Sequence, residues 1–235
     1  ADDVEIFNWV RQGAPKNKPS MEAQIMDWSD DVAYSVHDLE DALVTGHIEL
    51  AKLQNDLPKL YEVAKTEYLS DLTEIEAQEA LASLAALSCW PKSFDRSHRQ
   101  LAQLKDLTSQ LIGRFAVAAE SATREKYGSG NLTRYSADLI VPRAQKVEVA
   151  ILKSMPGYYI ILAEKSQELY TKQRELLKEL VNLLMEKAPT ALESFFLQEW
   201  YEADSELKRL RVIIDQVASL TDPGAYALYQ ELTAR

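Results

Sequence analysis

Residues 21–42 read MEAQIMDWSDDVAYSVHDLEDA, and this stretch decides the fold because its apolar residues recur with the period of an α-helix. At about 100° per residue, one side of such a helix carries Met21, Ile25, Trp28, Val32, Val36, Leu39 and Leu43. Ser20 stands directly before the stretch, where its hydroxyl can accept a hydrogen bond from a free amide of the first turn. The pattern predicts a long amphipathic helix that begins after Ser20.

The helical period continues through most of the chain. It predicts helices at 48–69, 72–89, 97–125, 144–155, 158–187, 190–203, 205–220 and 223–234. These segments are rich in strong helix formers, and glycine or proline falls between most of them. Only RYSADLIVP, Arg134 to Pro142, reads as a short strand, because Tyr, Leu, Ile and Val lie close together before a proline. We therefore expect an all-α, multi-helix bundle with at most one small β-hairpin near residues 134–142.

The composition of the 235 residues excludes several classes of protein. A formal net charge of −11 argues against nucleic acid as the main partner, because phosphate binding depends on Lys and Arg. No run of about 18 apolar residues is present, so we expect no membrane span. The single cysteine, Cys89, cannot form an intramolecular disulfide. That favours a reducing compartment, and we expect a cytoplasmic location.

The side of the predicted helix opposite its apolar residues is acidic and lacks a countercharge. That side carries Asp27, Asp30, Tyr34, His37, Asp38 and Asp41, and no Lys or Arg stands between Lys18 and Lys52. The simplest interpretation is a solvated helix face. However, Asp is a poor residue for a helix interior, and neighbouring carboxylates repel one another unless a cation lies among them. The pattern therefore indicates a metal ion, or basic side chains from another segment, beside these acids.

Three of these residues have a spacing that suits a ligand. Asp30, Tyr34 and Asp38 stand at i, i+4 and i+8, so the two carboxylates start about 12 Å apart along the helix axis. They are too distant to chelate one ion together. The spacing suits a ligand that lies along the helix, with a cation at one end and a hydroxyl-rich group at the other.

The same stretch resembles a known family. Glu22-Ala23-Gln24, then Asp30-Asp31-Val32-Ala33-Tyr34, then Asp38 match the recurring pattern of the dGTP triphosphohydrolases, which are bacterial members of the HD-domain phosphohydrolase superfamily. Further similarity lies in RYSADLIVP, in EVAILK (Glu148 to Lys153) and in LRVIIDQVASLTD (Leu210 to Asp222). The chain therefore resembles the C-terminal part of such an enzyme, and the resemblance implies a helix bundle of the HD-phosphohydrolase type.

The resemblance implies a role for each of Asp30, Tyr34 and Asp38, which are called the row below. Asp30 would be the final Asp of the family's His…His-Asp…Asp set, which holds a divalent metal ion such as Mg or Mn. Tyr34 would pack beside the sugar and phosphates of a deoxynucleoside triphosphate, and Asp38 would bind the deoxyribose 3′-hydroxyl. Asp31 is an alternative ligand or a supporting acid. Water would attack the α-phosphorus while the metal polarises a phosphate oxygen, releasing a deoxynucleoside and inorganic triphosphate.

One departure from the family pattern concerns histidine. The family's first metal ligands should lie upstream of Asp30, but His37, His47 and His98 all follow it. We therefore expect residues 1–235 to be the C-terminal helical portion of an HD-type phosphohydrolase, without its N-terminal metal-binding half and inactive alone. The family also implies a homo-oligomer. Arg99, Gln103 and Lys105 could reach phosphate or sugar, although no motif assigns them.

A second hypothesis comes from another class of protein. The composition also permits a non-enzymatic helical interaction module whose acidic face docks a basic partner. The coding sequence upstream of Ala1 discriminates between the two, because a His followed by a His-Asp dipeptide there would favour the enzyme.

Overall fold

A computed structural model describes residues 3–161 and 164–234, and most of these residues are helical. Within those ranges the α-helices are α1 Val4–Val10, α2 Met21–Thr45, α3 Leu53–Val63, α4 Glu74–Ala85, α5 His98–Tyr127, α6 Arg143–Pro156, α7 Glu164–Lys187, α8 Ser194–Glu202, α9 Glu206–Ala218 and α10 Asp222–Thr233. A 3₁₀ turn precedes α3, and π-helical turns at Ala64–Tyr68 and Gly157–Ile161 follow α3 and α6. No strand occurs in these ranges, so the all-α prediction is confirmed.

Both ends of α2 follow from local chemistry. The Ser20 hydroxyl accepts a hydrogen bond from the Ala23 amide at 3.3 Å, which confirms the predicted N-cap. At the other end Gly46 has φ of +81°, a left-handed conformation that glycine adopts without steric cost. A Cβ atom at this position would lie 2.7 Å from Nη2 of Arg96, which itself donates to the Thr45 carbonyl. The turn after α2 therefore requires glycine.

The chain divides into two units, and the first, Ala1–Leu162, contains α1 to α6. In this unit α2 packs against α5 and α6, and α6 also packs against α3 and α4. All side chains from Val147 to Leu152 are buried, so α6 is the central helix of this core. The largest side chains of the core include Leu39, Leu43, Leu60, Leu84, Leu111, Phe115, Ile151 and Met155.

A buried ion pair fixes α6 against its neighbours. The Glu148 side chain is 2% exposed and accepts hydrogen bonds from Nε and Nη2 of Arg114, at 2.8 and 2.6 Å. Its Oε1 atom also accepts from the Ser83 hydroxyl at 2.7 Å. A carboxylate at this depth requires such partners, because its desolvation would otherwise be costly. The network therefore joins α4, α5 and α6.

The second unit, Ala163–Arg235, has a core of its own. Helix α7 packs against α9 and α10, and α8 packs against α9. The buried centre consists of Leu180, Leu184, Leu192, Ile213 and Ala225. No helix in the described part of the chain is both long enough and apolar enough to cross a membrane.

The prediction of a small β-hairpin near residues 134–142 is wrong. These residues form a turn followed by an extended segment. The Leu139 amide donates to Oε1 of Gln24 on α2 at 3.0 Å, and the Ile140 amide donates to the hydroxyl of Thr123 on α5 at 2.9 Å. Side chains of the helices thus satisfy amides that a second strand would otherwise have to satisfy. An apolar extended segment can pack on helices without forming a sheet.

Candidate active site

Helix α2 presents Asp30, Tyr34 and Asp38 on its exposed side, opposite its buried apolar residues. The Tyr34 side chain is 62% exposed, although an aromatic ring of this size is usually packed. The side chains of Asp30 and Tyr34 have no hydrogen bond or ion pair to any residue that the structure describes. Two side chains without a bond to a described residue, Asp30 and Tyr34, therefore share one exposed face of α2 with Asp38.

The carboxyl group of Asp38 has a perturbed pKa. Partial desolvation is the largest cause, the negative charge of Asp41 adds to it, and His37 opposes both. The net effect raises the pKa of Asp38 above its ordinary value. Groups with such shifts are found disproportionately at functional sites, where neighbouring charges and burial are arranged around a ligand.

A cleft of about 400 Å³ lies beside the row, between α2, the π-helical turn after α3, and α6. Its charged lining residues are Asp27, Asp31, Glu67, Lys146 and Lys153, and its walls include the rings of Trp28 and Tyr68. The neighbours of Asp30 in sequence thus reach this cleft, whereas Asp30, Tyr34 and Asp38 are not among its lining residues. The row therefore flanks the cleft.

The structure places a lysine beside Asp31, the residue next to Asp30, and this lysine was not identified from the sequence. Lys153, in the last turn of α6, lies with its Nζ atom 2.6 Å from Oδ1 of Asp31. The same Nζ atom is 4.6 Å from the centroid of the Tyr68 ring, a cation–π contact. The signal available in the sequence was a lysine at the end of EVAILK, directly after the apolar residues of a predicted helix. Such a lysine needs a carboxylate partner nearby.

The same charges affect the pKa of the Tyr68 hydroxyl. Burial is the largest cause that raises its pKa, and the charge of Lys153 opposes it. Glu67, Asp38 and Asp31 each raise the pKa further. The hydroxyl therefore lies within the electrostatic reach of two aspartates of α2, although it belongs to the turn after α3.

Another acid of α2 is committed to the fold. Glu40 is buried, and its carboxylate accepts hydrogen bonds from Lys105 at 2.5 Å and from Thr108 at 2.7 Å, both on α5. Desolvation alone would raise the pKa of Glu40, but these two hydrogen bonds and the charges of Lys105 and His37 together outweigh it, and the pKa is lowered. Lys105, a candidate for phosphate binding in the sequence, therefore pairs with α2 instead.

The described residues do not complete a metal site. Among them, no three His, Cys, Asp or Glu side chains are grouped so that they could hold an ion. Asp30 offers a single carboxylate, and Asp31 already binds Lys153. Divalent ions require several oxygen or nitrogen ligands. The described residues therefore supply one ligand of such a site, Asp30, and not a complete set.

Comparison with known proteins identifies relatives along nearly the whole chain. A deoxyguanosinetriphosphate triphosphohydrolase-like protein of Streptomyces coelicolor is 43% identical over 99% of this chain and 55% of its own length. A protein of the same description in Bifidobacterium longum is 40% identical over 98% of this chain and 50% of its own length. Another in Corynebacterium glutamicum is 37% identical over 94% of this chain and 53% of its own length. This chain is related to the deoxyguanosinetriphosphate triphosphohydrolase-like proteins. The resemblance inferred from residues 21–42 is confirmed.

A family model agrees with this relationship. The phosphohydrolase-associated domain matches residues 139–231, from the extended segment before α6 into α10. Both comparisons indicate a phosphohydrolase family. The chain spans about half the length of the curated relatives that it matches.

Proposed function

We propose that this chain is the C-terminal portion of a metal-dependent deoxynucleoside triphosphohydrolase, which converts dGTP or a related dNTP into a deoxynucleoside and inorganic triphosphate. One observation carries the proposal. A chain related to this family along its length presents Asp30, Tyr34 and Asp38 on α2, and the side chains of Asp30 and Tyr34 have no hydrogen bond or ion pair to a described residue. The proposal includes a homo-oligomer, as the family resemblance implies, and a cytoplasmic location, which the single cysteine favours.

In this proposal the substrate lies along α2. Its phosphates are at the Asp30 end, its sugar packs against the Tyr34 ring, and its 3′-hydroxyl donates to the Asp38 carboxylate. Fixing the substrate at both ends places the reacting phosphorus in a defined position and removes much of the entropic cost of reaction. Asp30 contributes one carboxylate toward a divalent ion such as Mg or Mn, and the remaining ligands belong to residues outside this chain.

The role of Asp30 is tested in the intact protein. We expect Asp30→Ala to abolish dGTP hydrolysis, because the proposal assigns the metal-binding carboxylate of α2 to Asp30, whereas the adjacent Asp31 is engaged by Lys153. Glu79→Ala is the control, since Glu79 is an exposed acid of α4 whose side chain has no hydrogen bond or ion pair to a described residue and has no assigned role. Release of inorganic triphosphate is the measurement. Undiminished turnover in the Asp30 variant would end the proposal.

The role of Asp38 is tested with a matched pair of substrates, dGTP and 2′,3′-dideoxy-GTP. A hydrogen bond to a charged group contributes about 1.5–3 kcal/mol, so we expect the wild type to prefer dGTP by about tenfold or more in kcat/KM. Asp38→Ala should remove that preference and leave a protein that treats both nucleotides alike. A preference that persists in the variant would place the 3′-hydroxyl elsewhere.

The interaction-module hypothesis predicts a different result. It requires that the intact protein hydrolyse no dNTP, and that a basic peptide bind α2 in a manner weakened by both Asp30→Ala and Asp38→Ala. That combination of results would replace the enzymatic proposal.

A further inference from the structure

The ion pair between Asp31 and Lys153 lies directly beside Asp30. Its two atoms are 2.6 Å apart, and the side chains remain partly open to solvent, 44% for Asp31 and 24% for Lys153. Within the described ranges, no other Lys or Arg forms an ion pair with an acid between Asp27 and Asp38. This one contact is therefore the local compensation for the acids between Asp27 and Asp38.

The location of the ion pair has an electrostatic consequence for a charged substrate. A triphosphate placed at Asp30 would meet the Asp31 carboxylate on the next residue, and like charges at this separation repel one another. Lys153 offsets that charge. It is held in place by Asp31 on one side and by the Tyr68 ring on another. Since the pair is partly exposed, its contribution to folding stability is small.

We propose that Lys153 is a positioning residue that neutralises Asp31 and thereby lets an anionic triphosphate approach Asp30. The inference rests on the proposed function, because it takes the phosphates to lie at the Asp30 end of the row. It also separates the two adjacent acids, since Asp31 is engaged by Lys153 and Asp30 remains free for a ligand.

The two single substitutions should act in opposite directions. In the intact protein at about 0.15 M ionic strength, Lys153→Met leaves Asp31 uncompensated, and we expect it to weaken binding of inorganic triphosphate and raise the KM for dGTP about fivefold. Asp31→Asn leaves the Lys153 ammonium group unpaired. It should strengthen binding of inorganic triphosphate and lower the KM for dGTP by a similar factor. The double variant should return close to the wild type. Binding of deoxyguanosine, which carries no charge, should change in none of them.

A matched ion pair supplies the control. Lys18 and Asp138 are 3.1 Å apart and similarly exposed, at 31% and 45%. Asp138 also accepts a hydrogen bond from Gln24, which lies six residues and about 9 Å before Asp30 along the axis of α2. This separation is greater than the screening length of about 8 Å at 0.15 M ionic strength, and exposed charges interact weakly across it. We therefore expect Lys18→Met to leave triphosphate affinity unchanged.

The outcomes separate the two proposals. If Lys153→Met and Asp31→Asn both weaken triphosphate binding, or both weaken deoxyguanosine binding, the pair is structural and the inference is overturned. A lower thermal midpoint in both single variants, without opposite shifts in affinity, has the same meaning. The proposed function fails separately, through full turnover in the Asp30→Ala protein. Equilibrium dialysis with inorganic triphosphate gives a result whether or not turnover is observed.

Discussion

At the scale of single residues, buried acids of the first unit and the exposed acids Asp30 and Asp38 have different roles. Glu148 and Glu40 are buried and bonded to cations of other helices, so they belong to the fold. Asp30 is exposed and lacks a bond to any described residue, and Asp38 is exposed on the same side of α2. Removing a buried, paired carboxylate is costly, whereas an exposed carboxylate can be replaced with little effect on stability. Substitutions at Asp30 and Asp38 are therefore informative about function.

Glu76 makes folding stability depend on pH in a defined window. Hydrogen bonds from Arg143, followed by those from the Thr73 amide and hydroxyl, lower the pKa of Glu76 from 4.5 to about 2. Because the folded state favours the ionised form, this stabilisation is complete above about pH 4.5 and is lost as the pH falls toward 2. We expect Glu76→Gln to lower the thermal midpoint at pH 6 and to approach the wild type as the pH falls through that window.

Thermal melts at several pH values measure this difference. Glu79→Gln is the control, because Glu79 is exposed on the same helix and has no bond to any described residue. A gap between wild type and Glu76→Gln that stays constant from pH 6 to pH 2 would contradict the assignment.

At the scale of elements, α2 organises the chain on both of its sides. Its apolar side packs against α5 and α6, while side chains of its first turns hold the extended segment 134–142. The Gln24 amide bonds to this segment twice, accepting from the Leu139 amide and donating to the Asp138 carboxylate. The segment forms one wall of the cleft through Leu139 and Val141. The helix that carries the row therefore also shapes the neighbouring cleft.

This arrangement predicts a local effect of Gln24→Ala. The Leu139 amide loses its acceptor, so we expect faster hydrogen exchange in residues 134–142 while the buried amides of α6 keep their protection. Gln78→Ala, an exposed glutamine on α4 without a bond to any described residue, should leave both regions unchanged. Equal loss of protection across the whole first unit would indicate global destabilisation instead of release of this segment.

At the scale of the whole molecule, the chain has two separate cores, and the described residues do not complete a metal site. Each unit has its own buried centre, and the row belongs to the first. No group of three metal-binding side chains occurs among the described residues. The chain spans about half the length of its curated relatives, and in our proposal the remaining ligands come from outside it.

The 235-residue chain alone is therefore expected to bind Mg or Mn weakly and to release no triphosphate from dGTP. One carboxylate cannot replace several water ligands of a divalent ion with useful affinity. Calorimetric titration with the metal and an assay for inorganic triphosphate measure the two properties, with the intact protein assayed in parallel. Triphosphate release by the chain alone would show that its own residues suffice.

Local features of this protein could be predicted from the sequence because they depend on neighbours along the chain. The period of residues 21–42 places Asp30, Tyr34 and Asp38 on one side of a helix, and the hydroxyl of Ser20 caps that helix. The same period explains why the all-α prediction is confirmed. The resemblance to the triphosphohydrolases also lies in these local patterns, and relatives along the whole chain bear it out.

Features that depend on packing were decided by the tertiary structure. The strand-like composition of residues 134–142 led to a wrong prediction. Amides of this segment donate to side chains of α2 and α5 and not to a second strand. Lys153 meets Asp31 across 122 residues, a contact that no local period encodes. Helical periodicity is a property of adjacent turns, so the sequence by itself determined the helices and the exposed row. Which cation faces which acid depends on how those helices pack, and only the tertiary structure settled that.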